Sequence, residues 1–474
     1  DDDGSRARHS GSEWHGAPAT AAAPPAPPNP PSPPTAASLF TYAYRARRRH
    51  PGEAGGNLPP LLSRPGNRYS PSPPTHQQPR EQQLDPSRSQ RPGRLLDTSR
   101  PAAPSAGMSS SEAERRSAGK PRLTQDDAVG LARQLFGFGE VAEVKEFVSY
   151  DDRNFYLKTD APARTDWGNA TEFILKINNA VDSEKEAEIL AQNSMMLHLH
   201  AWGIRCPVPL KDVAGRYVAS AVLKDLDGSA QRHSVRLLTF LPGSVWDKVP
   251  QPPETLRAIG RFVGQVSNAL GGFHNPAAEA RTHMWDLARV TDVTGLTRHF
   301  EQRERMEVVD AVLAKFQRVV LPRAGALKKA VIHGDINEQN LLLHPDKPEV
   351  TGLLDFGDIL HSWQINDIAI TMAYGMLNKE APLVAASHLL AGYAAERPLT
   401  EVEWEVLPTL VACRLAQSIT LGNFSAIQDP SNKEYLLLTQ QSGWLCLKEL
   451  WETPEDEVQQ VWKGAVVAGA PASC

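Results

Sequence analysis

The sequence predicts an α+β chain of two lobes, a small lobe that mixes sheet and helix and a larger helical lobe, joined near residue 242. Three observations predict it. Short apolar runs bounded by turn residues crowd residues 141–241, whereas helical periodicity dominates from residue 253 onward. Within that helical region a single hairpin interrupts the pattern, with Leu341-Leu342-Leu343 and Val350-Thr351-Gly352-Leu353-Leu354 flanking Pro345-Asp346-Lys347-Pro348. The first 107 residues are different material, holding 21 of the 39 prolines and few periodic apolar positions.

Such a composition cannot bury enough surface to offset chain entropy, so residues 1–107 are expected to be a disordered Pro/Arg-rich extension. Met108 is the first methionine, and Met108-Ser109-Ser110-Ser111 reads as a natural start, so the stretch before it could be non-native. The remainder, out of 474 residues with 41% apolar content, can bury a large core. No apolar run approaches the roughly eighteen residues that a membrane-spanning helix needs. Cys206, Cys413, Cys446 and Cys474 are far apart with no CxxC pair, which points to a reducing compartment without disulfides or structural zinc. The net charge of −5 hides an asymmetry: residues 1–107 carry 13 arginines, no lysine and 8 acids, which leaves the rest at −10. That balance fits a cytoplasmic enzyme with a cationic substrate, and neither nucleic acid nor membrane is expected as a partner. Oligomeric state is left open.

The elements follow in order. Thr124 caps a helix whose apolar positions Ala128, Leu131, Ala132, Leu135 and Phe136 end at Gly137. Residues 141–148 and 155–158 read as strands, and the turn between them, 149–154, could cover phosphates without glycine. Residues 171–177 form a strand with one lysine, Lys176, inside an apolar run. Alone, such a lysine is more often an edge guard than a phosphate ligand. A helix over 183–200 follows, and the apolar strand 235–241 stops at Pro242-Gly243, its backbone end free to meet a purine as a hinge. Helices are then expected over 253–271, 303–315, 363–377, 382–395, 401–419 and 433–451. The domains read as 120–242, a nucleotide-binding lobe, and 243–465, a catalytic and substrate-binding lobe.

The hairpin carries the chemistry. Antiparallel pairing puts Asn340, at the start of one strand, beside Asp355, at the end of the other, with Asp335 one tight loop upstream. Two carboxylates and an amide oxygen converging there make an oxygen-ligand site of the kind Mg²⁺ prefers.

His333-Gly334-Asp335, Asn340 and Asp355-Phe356-Gly357-Asp358 together resemble the signature of the aminoglycoside phosphotransferase and choline kinase family. These small-molecule kinases share the protein-kinase-like fold. Residues 149–155, 235–243, 353–358, Arg414 with Gln417-Ser418, and 432–436 resemble the hydroxylysine kinases within it, and the likeness spans about 120–465. The resemblance implies transfer of the γ-phosphoryl of GTP, or ATP, to the 5-hydroxyl of 5-hydroxy-L-lysine. Another amino alcohol (choline, ethanolamine or homoserine) is the alternative, and a nucleotide-binding pseudokinase a second.

It also implies roles. Asp335 would orient the substrate hydroxyl and accept its proton, Asn340 and Asp355 would hold Mg²⁺, and Lys176 would pair with the donor phosphates. Ser149 and Asn154 would cap those phosphates, and Thr239 and Leu241 would meet the base. Gln192 stands where the family's lysine partner is usually glutamate, with Glu188 one turn earlier. Asp358 either meets metal or substrate ammonium groups or caps a turn. Trp285, with Asp286, and Arg414 are candidates for the substrate pocket, the arginine as a clamp on a carboxylate, with core packing and an internal ion pair as the alternatives. His333 is expected to brace the loop rather than to titrate, and Asp367 to anchor the loop backbone.

Overall fold

The computed structural model describes residues 115–469, apart from 117, 148, 150, 151, 163 and 429–439. The chain separates into two units; the first, Asp1–Asn57, lies outside the described residues, and everything below belongs to the second, Leu58–Cys474. The expectation of disorder for 1–107 and the likeness over 432–436 likewise fall outside the described residues.

The small lobe opens on α1 (Gln125–Phe136). Thr124 and Asp127 cap it reciprocally, and Gly137 ends it in the left-handed region at φ 72°. Strands β1 (Glu143–Phe147), β2 (Arg153–Lys158) and β3 (Glu172–Ile177) lead to helix α2 (Glu186–Ala201), then β4 (Pro209–Leu210), β5 (Ala219–Lys224) and β6 (Ala230–Thr239). The sheet order is β1-β2-β3-β6-β4 with β5 also on β6, and each of these pairings is antiparallel, so the lobe mixes sheet and helix but the sheet itself is not mixed. Alternation along the strands sorts the side chains. Phe155, Leu157, Phe173, Leu175 and Leu237 pack with Phe136 of α1 in one apolar cluster. The opposite face carries Asn154, Lys176 and Arg236, aligned across β2, β3 and β6.

Helix α2 joins the lobes. Its Met195, Met196 and Leu199 belong to the large lobe's core, as does Leu238 of β6. After the hinge come β7 (Ser244–Val245), α3 (Pro253–Leu270) and α4 (Arg303–Val319). Next are β8 (Lys329–Ile332), β9 (Leu341–Leu343), β10 (Val350–Leu353) and β11 (Leu360–Trp363), then helices α5 (Asn366–Gly375), α6 (Pro382–Glu396), α7 (Glu401–Gln428), α8 (Gln440–Glu452) and α9 (Glu455–Gly469). The expected hairpin is β9–β10, and β7 adds a third strand to it. The expected helix from 363 begins only at Asn366, because residues 360–363 pair with β8 as a strand. The stretch 433–439 of another expected helix lies outside the described residues. Helices α3 and α6 cross at glycines: a methyl at Gly260 would overlap the Leu389 carbonyl, and one at Gly392 the Arg257 carbonyl. Among the described residues no helix is long and apolar enough to cross a membrane.

Candidate active site

The loop from β8 to β9 is held from beneath. Asp367, at the start of α5 and 1% exposed, accepts the backbone N–H of His333 at 3.2 Å and of Gly334 at 2.9 Å. Thr371, one turn on, donates to the Ile336 carbonyl at 3.0 Å. The anchoring expected of Asp367 is thus present. His333 is fully buried; its Nδ1 accepts from the Asp335 N–H at 3.3 Å and its Nε2 lies 3.1 Å from the Leu354 carbonyl, which fixes the Nε2–H tautomer. Burial lowers its pKa, with Asp367 opposing. It braces the loop and is neutral. Gly334 has φ 81°, and a Cβ there would come within 2.6 Å of the Asp358 carbonyl, so the close approach of the two motifs requires glycine.

Asp335 is thereby presented at the mouth of the large lobe. Its Oδ2 accepts from Asn337 Nδ2 and Asn340 Nδ2, each at 2.9 Å, and its Oδ1 from Arg414 Nη2 at 2.8 Å. Burial pushes its pKa up to about 7, against the pull of Arg414, and the nearby Asp358 and Asp355 push the same way. Asn340 spends its amide nitrogen on Asp335, donating to both the side chain and the main-chain oxygen, which leaves Oδ1 as the atom for a cation. The Leu354 N–H donates to the Asn340 carbonyl at 2.7 Å, so Asn340 and Asp355 are neighbours, as the hairpin required. Asp355 is exposed and sits at φ 53°, a backbone rarely taken by a residue with a side chain. Its Oδ1 accepts from the Gly357 N–H at 3.0 Å. Among the described residues no trio of His, Cys, Asp or Glu forms a complete cage. The two oxygen donors fit Mg²⁺, which takes one or two protein ligands when phosphates complete its shell.

Asp358 lies near Asp335, its Oδ1 3.6 Å from His283 Nδ1. Burial raises its pKa, Asp355 adds to this, and Arg281 and Arg414 oppose it. Arg414 departs from the expectation of an open clamp. It is 1% exposed and committed to Asp335, to the Trp285 carbonyl at 3.2 Å and to Gln417 Oε1 at 3.3 Å. Its guanidinium lies 4.8 Å from the Trp285 ring centroid and 5.4 Å from that of Tyr374. So Arg414 meets Asp335 as its buried support, and the half-buried Trp285 packs on Arg414. Asp286 caps a 3₁₀ turn at Ala288 N–H and accepts from Ser362 Oγ at 2.7 Å.

Across the cleft, Lys176 Nζ is 2.8 Å from Asp152 Oδ2. Burial works against the ammonium, but Asp152, and after it Asp355, hold its pKa above the ordinary lysine value. This corrects the expected partner: Gln192 is buried on α2, and Glu188 pairs with Arg281 at 3.0 Å. The carboxylate comes instead from the β1–β2 turn, because Asp152 is fixed there by the Asn179 N–H at 2.8 Å. Ser149 closes the same turn, its hydroxyl donating to the Asp152 carbonyl and its own carbonyl accepting from Lys120 Nζ at 2.9 Å. Asn154 stands in register with Lys176, its buried Oδ1 without a partner. At the hinge the Thr239 hydroxyl is used, accepting the Val208 N–H at 2.9 Å. The Leu241 peptide groups have no intramolecular partner among the described residues.

Asp152, Asn337 and Arg236 were not singled out from the sequence. Arg236 carried a usable signal, an arginine inside an apolar strand on the side-chain phase opposite to Val235 and Leu237.

Residues 143–399 match the sequence model of the phosphotransferase enzyme family. The hydroxylysine kinase of Xenopus laevis is 31% identical over 355 residues, covering 72% of this chain and 94% of that protein. That of Danio rerio is 32% identical over 349 residues, covering 72% and 96%. Among solved structures, amicoumacin kinase hAmiN in complex with AMP-PNP, Ca²⁺ and Ami superposes with a TM-score of 0.51 at 15% identity, covering 73% of this chain and 99% of that one. At that identity the likeness speaks to the fold alone, a two-lobed, protein-kinase-like one.

Proposed function

The chain belongs to the phosphotransferase enzyme family, and from that premise we propose that it is a cytoplasmic kinase transferring the γ-phosphoryl of GTP, or of ATP, to the 5-hydroxyl of 5-hydroxy-L-lysine. One observation carries the reading. A carboxylate, Asp335, sits beside the Asn340–Asp355 oxygen pair, with a lysine held in reserve across the cleft on Asp152. The similarity to hydroxylysine kinases along nearly their whole length supports the choice of acceptor.

Phosphoryl transfer asks the protein mainly for positioning and charge neutralisation. Asp335 orients the acceptor hydroxyl and takes its proton as the new bond forms. Asn340 Oδ1 and the Asp355 carboxylate would hold Mg²⁺, which supplies neutralisation of the donor phosphates. Lys176 pairs with those phosphates, Ser149 and Asn154 close over them, and the Leu241 peptide meets the purine beside Thr239. Asp358 faces an ammonium group of the substrate, and Arg414, stacked on Trp285, favours the ionised form of Asp335.

The test is a mass-spectrometric screen of purified protein with GTP and with ATP against 5-hydroxy-L-lysine, homoserine, choline, ethanolamine and lysine. Phosphohydroxylysine with no product from lysine is expected. Transfer only to one of the other alcohols would overturn the acceptor, and the relative turnover with GTP and with ATP decides the donor.

A further inference from the structure

A carboxylate inside a phosphate site is a difficulty. Asp152 holds Lys176 at 2.8 Å, in the turn that would cover the donor phosphates, and both side chains are largely buried. If Lys176 turns to a phosphate, Asp152 is left as a buried charge without a counter-ion, and stranding one partner of a buried pair is strongly unfavourable. Something must take over that charge.

Arg236 is placed to do so. It lies on β6 in register with Lys176 on β3, so the two side chains leave neighbouring strands on the same face. It is 3% exposed, and its Nη1 donates to Asn193 Oδ1 at 3.1 Å, a neutral partner on α2. Its Nε is buried and has no hydrogen-bond partner. Burial works to lower its pKa, and the carboxylates that oppose this are Asp152 first, then Asp355 and Asp182. A buried guanidinium with an unused donor, beside the carboxylate that must be released, is a structural cost unless that donor is used. Asp152 is also tethered at its other oxygen by Asn179, so it stays in place when Lys176 departs.

We propose that Arg236 is a positioning residue for the phosphate site: it takes up the charge of Asp152 so that Lys176 can move from Asp152 to the donor phosphates. The lysine–carboxylate pair is then a resting arrangement, and Arg236 makes it exchangeable. The inference rests on the phosphoryl-transfer reading.

The experiment uses the full chain, titrated with a fluorescent GTP analogue and assayed for KM of nucleotide and acceptor separately. Arg236→Met is expected to weaken nucleotide binding on the order of tenfold or more, leaving the acceptor KM within about twofold. Asp152→Asn in that background is expected to restore nucleotide binding, because no stranded charge remains, and Arg236→Lys to keep most of it. A purely structural arginine would not be rescued by removing Asp152. Should Arg236→Met fail to fold, Arg236→Gln carries the same comparison, since it can keep the bond to Asn193 without the charge. A folded variant with wild-type nucleotide affinity, or a loss that Asp152→Asn does not relieve, overturns the inference while leaving the kinase reading intact. Failure of the wild-type protein to bind nucleotide overturns both.

Discussion

Replacing Arg414 with methionine keeps much of the volume between Trp285 and Tyr374 and deletes the cation bonded to Asp335. With Nη2 2.8 Å from Oδ1, the charge centres are about 4 Å apart, and at an effective dielectric of roughly 20 their attraction is about 4 kcal/mol. Each pH unit corresponds to about 1.4 kcal/mol, and the amides of Asn337 and Asn340 remain, so a rise of about one to three units is expected. Burial already pushes the Asp335 pKa up to about 7. A base must be deprotonated to act, so the acidic limb of kcat/KM is expected near pH 7 in the wild type and at about pH 8–10 in Arg414→Met. At pH 7 the variant should be about fivefold or more slower, and it should recover as the pH rises. The assay is a pH profile of kcat/KM, with circular dichroism at each pH to verify folding. A variant limb still at pH 7, or a deficit equal at pH 6 and pH 9, would refute the reasoning.

Other expectations follow from the same geometry. Asp335→Asn should abolish turnover yet bind nucleotide; because the folded-state pKa is raised, the stability that Asp335 contributes below pH 4 is lost progressively up to about pH 7, so the variant should gain in melting point over the wild type as pH rises, with the larger margin at the higher pH. Thermal melts at pH 5 and pH 8.5 check this, and equal melting points at both would contradict it. Gly334→Ala combines a φ of 81° with a Cβ 2.6 Å from the Asp358 carbonyl, and should cost on the order of 1–3 kcal/mol as well as most of the activity, measured by denaturant unfolding and initial rates. Gly392→Ala, remote from the cleft, should cost at least as much by forcing α3 from α6, with nucleotide affinity unchanged in whatever fraction folds. Asp367→Ala leaves two buried N–H donors unpaired, a loss of about 2–6 kcal/mol that a lowered melting temperature would register.

Much of the fold was legible because its punctuation is local. Thr124, Gly137 and the proline-flanked tetrapeptide at 345–348 set boundaries through backbone chemistry that needs no distant partner. Pairing strands is a different matter. The stretch 360–363 reads as the start of a helix until β8 is known to lie alongside, and the pairing wins over the local pattern. In the site, Asp335, Asn340 and Asp355 could be placed from spacing because one hairpin carries them. The partner of Lys176 could not, because Asp152 reaches it from another strand pair and Gln192 was judged only by its place along a helix. Arg414 lies 79 positions from Asp335, and no periodicity in α7 tells a clamp on a ligand from a prop beneath a side chain.

The join between the lobes has a consequence for anyone recombining this chain with a relative. Residue 242 looks like a natural cutting point, yet β7, immediately after it, is stitched to β9, Ser244 opposite Leu343 and Val245 opposite Leu342. Thr351 bonds the Pro242 carbonyl, and the Leu353 N–H bonds the carbonyl of Arg205, back in the small lobe. A chimera spliced at Pro242 would bring foreign ends to both sides of this seam and displace the hairpin that bears Asn340 and Asp355. The transferable module is therefore not a lobe: residues 205–245 and 341–353 should be inherited together.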